Sequence, residues 1–506
     1  MTLTDTLRMA SAYPHPVKDI QVIETHISWL FLTGDYAYKV KKPVDFGFLD
    51  FTSLDKRKFF CEEELRLNQR LAPDIYESVV PICGTFDNPV IDGEGEPIEY
   101  AVRMRQFNPE QRLDLLLQAK RFDADWIDML AEQIADFHDR IPRVAPDSPW
   151  GETHTIWDVV SDNFLHIGDQ INDLNDWSQL QHLSNHTAQS FRELTNLIRE
   201  RKTQGRVREC HGDLHLANIN LFNDELRLFD CIEFNLQFRW IDTISDIAFL
   251  LMDLEANEQF RWANRCLNRY LELCGDYGGV QLLNFYKSYR AMVRAKVSVI
   301  GTEPDLNGLR RYLSLTEHYA STPHPVLYLM HGVSGTGKSY FSQQLLDEIG
   351  AIRVRSDVER KRLYRELSLK GEKLELYGAE MNARTYNHLQ DITRALLKAG
   401  YSVIVDATNI RYRTRRSYFE LSQQLHVPMR IVSCQCEQKL VEARLKRRVN
   451  EGVDASDADI DVMRQQLQHT QTLNEEEQDY TIVVDTDDDD SINHVLERLR
   501  SEEIIS

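Results

Sequence analysis

The stretch VLYLMHGVSGTGKSYFSQQLLDEIG, residues 326–350, constrains the fold of this 506-residue chain more than any other. A short apolar run leads into G-x-x-x-x-G-K-S, and helical spacing follows. In that context the backbone N–H groups of Gly332, Ser334, Gly335, Thr336 and Gly337 are set to wrap phosphates at a helix N-terminus. Lys338 is set to reach the β/γ oxygens of ATP, and the Ser339 hydroxyl to hold Mg2+. After residue 326 strand-like and helical segments alternate to the end, which predicts a parallel sheet flanked by helices.

The residues that follow narrow the chemistry. RVRSDVERKRL puts Asp357 and Arg360 three apart just after a second strand, near the carboxyl edge of the sheet where ligands sit. Asp357 there can be the general base on an acceptor hydroxyl. Arg360 can grip the transferring phosphoryl group or orient that aspartate. YSVIVDATN ends a third strand on Asp406, the Walker B-like position for a metal ligand, with Thr408 and Asn409 at the site edge. RYRTRR follows directly, and EARLKRRVN gathers Arg444, Arg447 and Arg448 on one helical stretch. Residues 325–500 resemble P-loop kinases of the polynucleotide kinase, zeta toxin, gluconate kinase and chloramphenicol phosphotransferase group, whose shared marks are SDxxR and DATNxxxxxR. The resemblance implies that Arg444 and Arg448 belong to a lid closing on ATP.

About a hundred residues earlier the chain spells a second phosphate-handling pattern, HGDLHLANINLFNDELRLFD, residues 211–230. Asp213 and Asn218 are five apart, as in the kinase pattern H-R-D-x-x-x-x-N. Asp213 would accept the hydroxyl proton, Asn218 would hold metal, and Asp230, after the apolar run LRLF, would ligate Mg2+. Where protein kinases switched by loop phosphorylation carry Arg, this chain has Gly212, which cannot pair with a phosphate. Roughly residues 20–320 resemble the aminoglycoside phosphotransferase and choline kinase family. That resemblance implies a strand lysine paired with a helix glutamate, for which Lys39 and Glu64 are the candidates, with Lys41 on the same strand face and Glu63 as the alternative acid. It also makes Asp246 a buried structural acid. No GxGxxG precedes Lys39, only Gly34.

The expected class is therefore α/β and α+β multidomain. A protein-kinase-like bilobal fold (N-lobe 1–108, C-lobe 109–320) would precede a P-loop NTPase fold over 321–506, with YASTPHPV (319–326) as connector. The two resemblances together match a bacterial two-domain arrangement, an aminoglycoside phosphotransferase-like domain fused to a P-loop kinase. They imply ATP and Mg2+ as cofactors at both sites and small-molecule hydroxyl acceptors.

Composition limits the partners. The net charge of −21 disfavours indiscriminate binding to nucleic acid or anionic membrane but leaves room for a local basic pocket. No apolar run is long enough to span a bilayer, no secretory leader is legible, and the eight cysteines show no metal-ligand rhythm. The expectation is a cytoplasmic protein with reduced thiols, Cys434 and Cys436 sharing a strand face. DTDDDD (485–490) reads as a solvated turn. Two other readings stay open: a 5′-hydroxyl polynucleotide kinase with an N-terminal substrate-binding half, and a nucleotide-gated or toxin-like regulator with one silent site.

Overall fold

The computed structural model describes residues 2–505, apart from 48, 301–302, 322–323, 452–455, 489 and 503. Two positions of the expected connector and one of the acidic run thus lie outside the described residues. The chain forms two compact units: Met1–Asp253 with Phe285–Thr316, and Leu254–Asn284 with Glu317–Ser506. The stretch 254–284, grouped above with the C-lobe, packs with the second unit.

The first unit opens with a six-stranded sheet, β1 (Gln21–Glu24), β2 (Ser28–Leu32), β3 (Tyr36–Lys41), β4 (Tyr76–Thr85), β5 (Asn88–Ile91) and β6 (Pro97–Arg105), in the order β1-β2-β3-β6-β4-β5. Every pairing is antiparallel. One face is closed by Phe31, Tyr38, Val40, Val80, Ile82 and Ala101. Between β3 and β4 runs the helix Leu54–Asn68, whose first turn is capped by the Ser53 hydroxyl accepting from Lys56 N–H at 3.2 Å. Its buried stripe is Arg57, Cys61, Glu64 and Asn68, the 3.6-residue period of a helix docked on a sheet. That period turns Glu64 inward and leaves Glu63 off the stripe. Helices dominate the remainder, interrupted by β7 (Val207–Glu209), the hairpin β8 (Ile219–Phe222) and β9 (Glu225–Leu228), and β10 (Trp240–Asp242), which pairs with β7.

The second unit is built on a five-stranded, wholly parallel sheet of β11 (Leu327–His331), β12 (Ile352–Arg355), β13 (Val403–Asp406), β14 (Met429–Gln435) and β15 (Thr481–Asp485). Their order is β12-β13-β11-β14-β15. All five residues of β11 are buried, as a central strand covered on both faces requires, which is why it reads as a continuous apolar run and not as an alternating one. One face packs Tyr328, Met330, Phe341, Leu345 and Val432 together. The parallel register brings the C-terminal ends of β11, β12 and β13 to one edge, with Arg355 opposite Asp406. The α/β and α+β class expected from the sequence is the class observed.

Candidate active sites

In the first unit, β3 alternation and the helix stripe meet at a buried charge network. Lys39 and Lys41, two apart on β3, share a face. Lys39 Nζ lies 2.7 Å from Glu64 Oε1 and 2.7 Å from Asp230 Oδ1. Lys41 Nζ lies 2.7 Å from Glu64 Oε2 and also pairs with Glu233. Glu63 instead meets Arg66 and Arg239. Burial alone would push the Glu64 carboxyl up, but the two lysines outweigh it and hold it down to about 2. Burial would likewise lower the Lys39 ammonium, yet Asp230 and Glu64 raise it well above the usual lysine range. Each group has a second partner, Asp230 for Lys39 and Lys41 for Glu64, so the buried charge is shared over the network and not over one pair. Glu233 was not legible in the sequence: it lies three residues past Asp230 and reaches Lys41 only through the fold.

The catalytic-loop candidates converge on the open end of the β8–β9 hairpin. Asn218 Nδ2 donates to Asp213 Oδ2 at 2.8 Å and to the Asp213 carbonyl at 3.0 Å. Phe229 N–H donates to the Asn218 carbonyl at 3.0 Å, which sets Asp230 one residue beyond. Asp230 takes a left-handed backbone, φ 63°. His215 Nε2 stands 3.3 Å from Asp213 Oδ2. Burial would raise the Asp213 carboxyl, but His215, His211 and Arg290 hold it well below the usual carboxylate range. The loop hangs on Asp246, whose oxygens accept from Gly212 N–H (2.9 Å) and His211 N–H (3.1 Å) and meet His138 Nε2 (3.1 Å). Asp253 accepts from Leu216 N–H at 2.9 Å, and Arg290 donates to the Gly212 carbonyl at 3.0 Å. Gly212 sits at φ 88°, and a Cβ there would come within 2.7 Å of the Phe238 carbonyl oxygen, so the position has no room for a side chain. Gly34 sits in the β2–β3 turn, its N–H donating to Gln106 Oε1 at 2.8 Å.

In the second unit the phosphate loop follows β11. Gly332 has φ 137°, and a Cβ would lie 2.8 Å from both the Cys434 carbonyl oxygen and Thr336 Oγ1. Gly335 and Gly337 also have positive φ, and the helix Lys338–Ile349 starts directly after them. Lys338 is buried, its Nζ donating to the Val333 carbonyl at 2.7 Å; burial lowers its pKa, and Asp406 opposes that. Ser334 N–H donates to Gln466 Oε1 at 2.7 Å, a contact from the helix Ile460–His469 that no motif announced.

Ser334, Lys338, Ser339, Asp357, Arg360 and Asp406 all line one cavity of about 1770 Å3, shared with Arg444 and Arg448. That exceeds the roughly 300–1,000 Å3 of a single-ligand pocket and leaves room for a nucleotide and an acceptor together. Nine Lys and Arg side chains line it against four Asp, a basic pocket inside an acidic chain. Arg360 is buried with its Nε unpartnered, its Nη1 on Asn382 Oδ1 and its guanidinium 5.5 Å from the Tyr377 ring. Arg444 is held by Thr486 Oγ1 (3.1 Å) and Asp487 Oδ1 (3.0 Å). Within the RYRTRR stretch, Arg415 is fully buried in a bidentate pair with Glu477 at 2.6 and 3.0 Å, a structural clamp. Cys434 is buried at the end of β14 and Cys436 lies just past it; all eight cysteines are free thiols.

The donor sets fit Mg2+. Asp406 Oδ2 is buried and makes no hydrogen bond, an orphaned carboxylate oxygen in the cavity that Ser339 also lines. In the first unit the Asn218 amide nitrogen is committed to Asp213, which leaves its oxygen, with the Asp230 carboxylate, as hard ligands.

His331, the last residue of β11, makes one hydrogen-bond contact, Nδ1 to Ser433 Oγ at 3.0 Å, and its Nε2 is buried without a partner. Burial first, then the charges of Arg415 and Lys338, push its pKa down to about 4. The unfolded chain takes up a proton near pH 6.5 that the folded unit refuses, so stability falls as pH drops from there toward 4. Between pH 7.5 and pH 5 the expected loss is about 2 kcal/mol. Urea titrations at the two pH values check it: His331→Gln should flatten the slope by that amount.

Residues 327–473 match the family described as AAA domain. An uncharacterized protein of Mycobacterium tuberculosis (strain ATCC 25618 / H37Rv) and one of Mycobacterium bovis are each 30% identical over 457 residues, covering 87% of this chain and 89% of theirs. The chain belongs to their family. Among solved structures, a sugar kinase from Janibacter sp. HTCC2649 is 20% identical and aligns over 36% of this chain and 96% of its own, with a TM-score of 0.27. A choline/ethanolamine kinase family protein from Mesorhizobium loti is 9% identical over 64% of this chain and 96% of its own, with a TM-score of 0.39. The family match thus lies within the second unit, around the phosphate loop, while the mycobacterial relatives align over both units. Among the described residues no helix is long and apolar enough to cross a membrane.

Proposed function

We propose that the chain is a bifunctional ATP- and Mg2+-dependent phosphotransferase, each unit transferring the γ-phosphate of ATP to a hydroxyl of a small molecule. One observation carries the reading: each unit separately gathers a lysine, a candidate base and a metal-type carboxylate, Lys39, Asp213 and Asp230 in one, Lys338, Asp357 and Asp406 in the other. When bound, Mg2+ would neutralise charge on the phosphates, held by Asn218 and Asp230 at the first site and by Ser339 and Asp406 at the second. Lys39, fixed by Glu64, and Lys338 would grip the phosphates. Arg444 and Arg448 would close over the nucleotide, and Arg360 would hold the transferring group or its acceptor.

In each transfer a bond forms from the acceptor oxygen to the γ-phosphorus and the bond to the β-phosphate oxygen breaks. The hydroxyl proton passes to Asp213 or Asp357. A carboxylate held as low as Asp213 takes that proton late, which suits a loose transition state in which the nucleophile needs little activation. The basic surplus of the second cavity exceeds what Mg2+-bound ATP neutralises, and it favours an anionic hydroxyl compound as acceptor there. A phosphorylated product of the first site is such a compound. Equilibrium dialysis with a non-hydrolysable ATP analogue and Mg2+ tests the reading: two analogues should bind per chain, whereas one per chain at saturation would overturn it.

A further inference from the structure

We infer that Glu272, which lies 66 positions before Lys338 and in no phosphate-handling motif, is a positioning residue that keeps the metal carboxylate of the second site open. The inference rests on reading that site as one for Mg2+ and ATP.

It starts from a polar stripe. In the helix Phe260–Cys274, Asn264, Asn268 and Glu272 recur every four residues and therefore share a face. This helix belongs to the excursion 254–284 that packs with the second unit. β12 is one of the two edge strands of the parallel sheet, and an edge strand exposes unpaired backbone groups. Asn268 satisfies two of them: its Oδ1 accepts from Arg353 N–H at 2.7 Å and its Nδ2 donates to the Ala351 carbonyl at 3.0 Å. That double contact sets the register of helix on strand. One turn later it delivers Glu272, also buried, to the arginines of β12.

Glu272 shares its carboxylate among three guanidinium groups, Arg269 of its own helix, with Nη1 3.8 Å from Oε2, and the two arginines of β12. Oε1 accepts from Arg353 Nε (3.1 Å) and Nη2 (2.6 Å), and Oε2 lies 3.5 Å from Arg355 Nη1. Each of the two β12 arginines then reaches a residue of the metal site. Arg353 Nη1 donates to the Ser339 carbonyl at 3.1 Å and to Ser342 Oγ at 3.2 Å. Arg355 Nε stands 3.6 Å from Asp406 Oδ2, within ion-pair range but beyond a hydrogen bond, and that oxygen is the orphaned one. Arg355 is thus shared between Glu272 and Asp406. With the Glu272 charge removed, its guanidinium would close on Asp406 and compete with a cation for that carboxylate.

The test uses the full-length chain and a fluorescent ATP analogue, titrated with Mg2+. The binding component lost in Lys338→Ala defines the second site. Glu272→Gln should raise the Mg2+ concentration for half-maximal binding at that site by about tenfold or more, the usual cost of losing a group that supports a metal ligand. Binding in EDTA and the first-site component should not change. Glu272→Asp, which keeps the charge, should recover part of the loss and serves as the readout if the Gln variant does not fold. In Glu272→Gln/Arg355→Gln the Mg2+ requirement should return to within about threefold of wild type. A wild-type Mg2+ requirement in Glu272→Gln, or a double variant no better than the single, would overturn the inference and leave the ATP site standing. A wild-type chain with no Mg2+-dependent component lost in Lys338→Ala would overturn the reading of the site itself.

Discussion

Asp213→Ala is expected to lower turnover at the first site about 10³-fold while leaving ATP affinity within about threefold. The side chain touches Asn218 and His215, whereas Lys39, Glu64 and Asp230 form a separate ion-paired group. On the proposed reading, removing the carboxylate therefore deletes the proton acceptor and leaves the phosphate grip in place. A loss confined to the chemical step is the signature of a group used only in the transition state. The loop should survive the change, because its backbone hangs on Asp246, Asp253 and Arg290 and not on Asp213. Single-turnover transfer and analogue binding, measured on one preparation, check both halves.

Lys338→Ala is expected to act differently, weakening nucleotide binding and transfer together at the second site, with transfer down about 10²–10³-fold. The ammonium rests on the Val333 carbonyl at 2.7 Å, inside the loop that would hold the phosphates. On the proposed reading it would be a preorganised cation at the point where charge develops, and neither Arg360 nor Arg444 is placed to stand in for it. Arg360 leans on Asn382 and Tyr377, and Arg444 on Thr486 and Asp487. First-site turnover should be unchanged, which separates this variant from general unfolding.

Much of both sites was legible because their residues are close in sequence. The phosphate loop is one strand, one turn and one helix start. Asp213, Asn218 and Asp230 flank one hairpin. Lys39 and Glu64 are 25 positions apart, but strand alternation and the stripe Arg57–Cys61–Glu64–Asn68 bring them together. What the motifs did not reveal depends on contacts far apart in the chain. Glu233 meets Lys41, Gln466 meets Ser334, and Glu272 meets Arg353, each across more than eighty positions and with no local pattern to mark the partner. The helical spacing of 254–284 is equally compatible with either unit, so its packing with the second was not readable. The four-residue recurrence of Asn264, Asn268 and Glu272 was the available signal, since polar residues repeating on one helix face need partners.

The two-site account is tested most directly by transfer of labelled γ-phosphate from ATP into a bacterial small-molecule extract, by the wild-type chain, Asp213→Ala and Lys338→Ala. The account predicts that each variant loses a different labelled product, or that Asp213→Ala also loses a product made in sequence by the second site. Labelling untouched by Asp213→Ala and abolished by Lys338→Ala would contradict it, leaving the first unit a binding or regulatory domain.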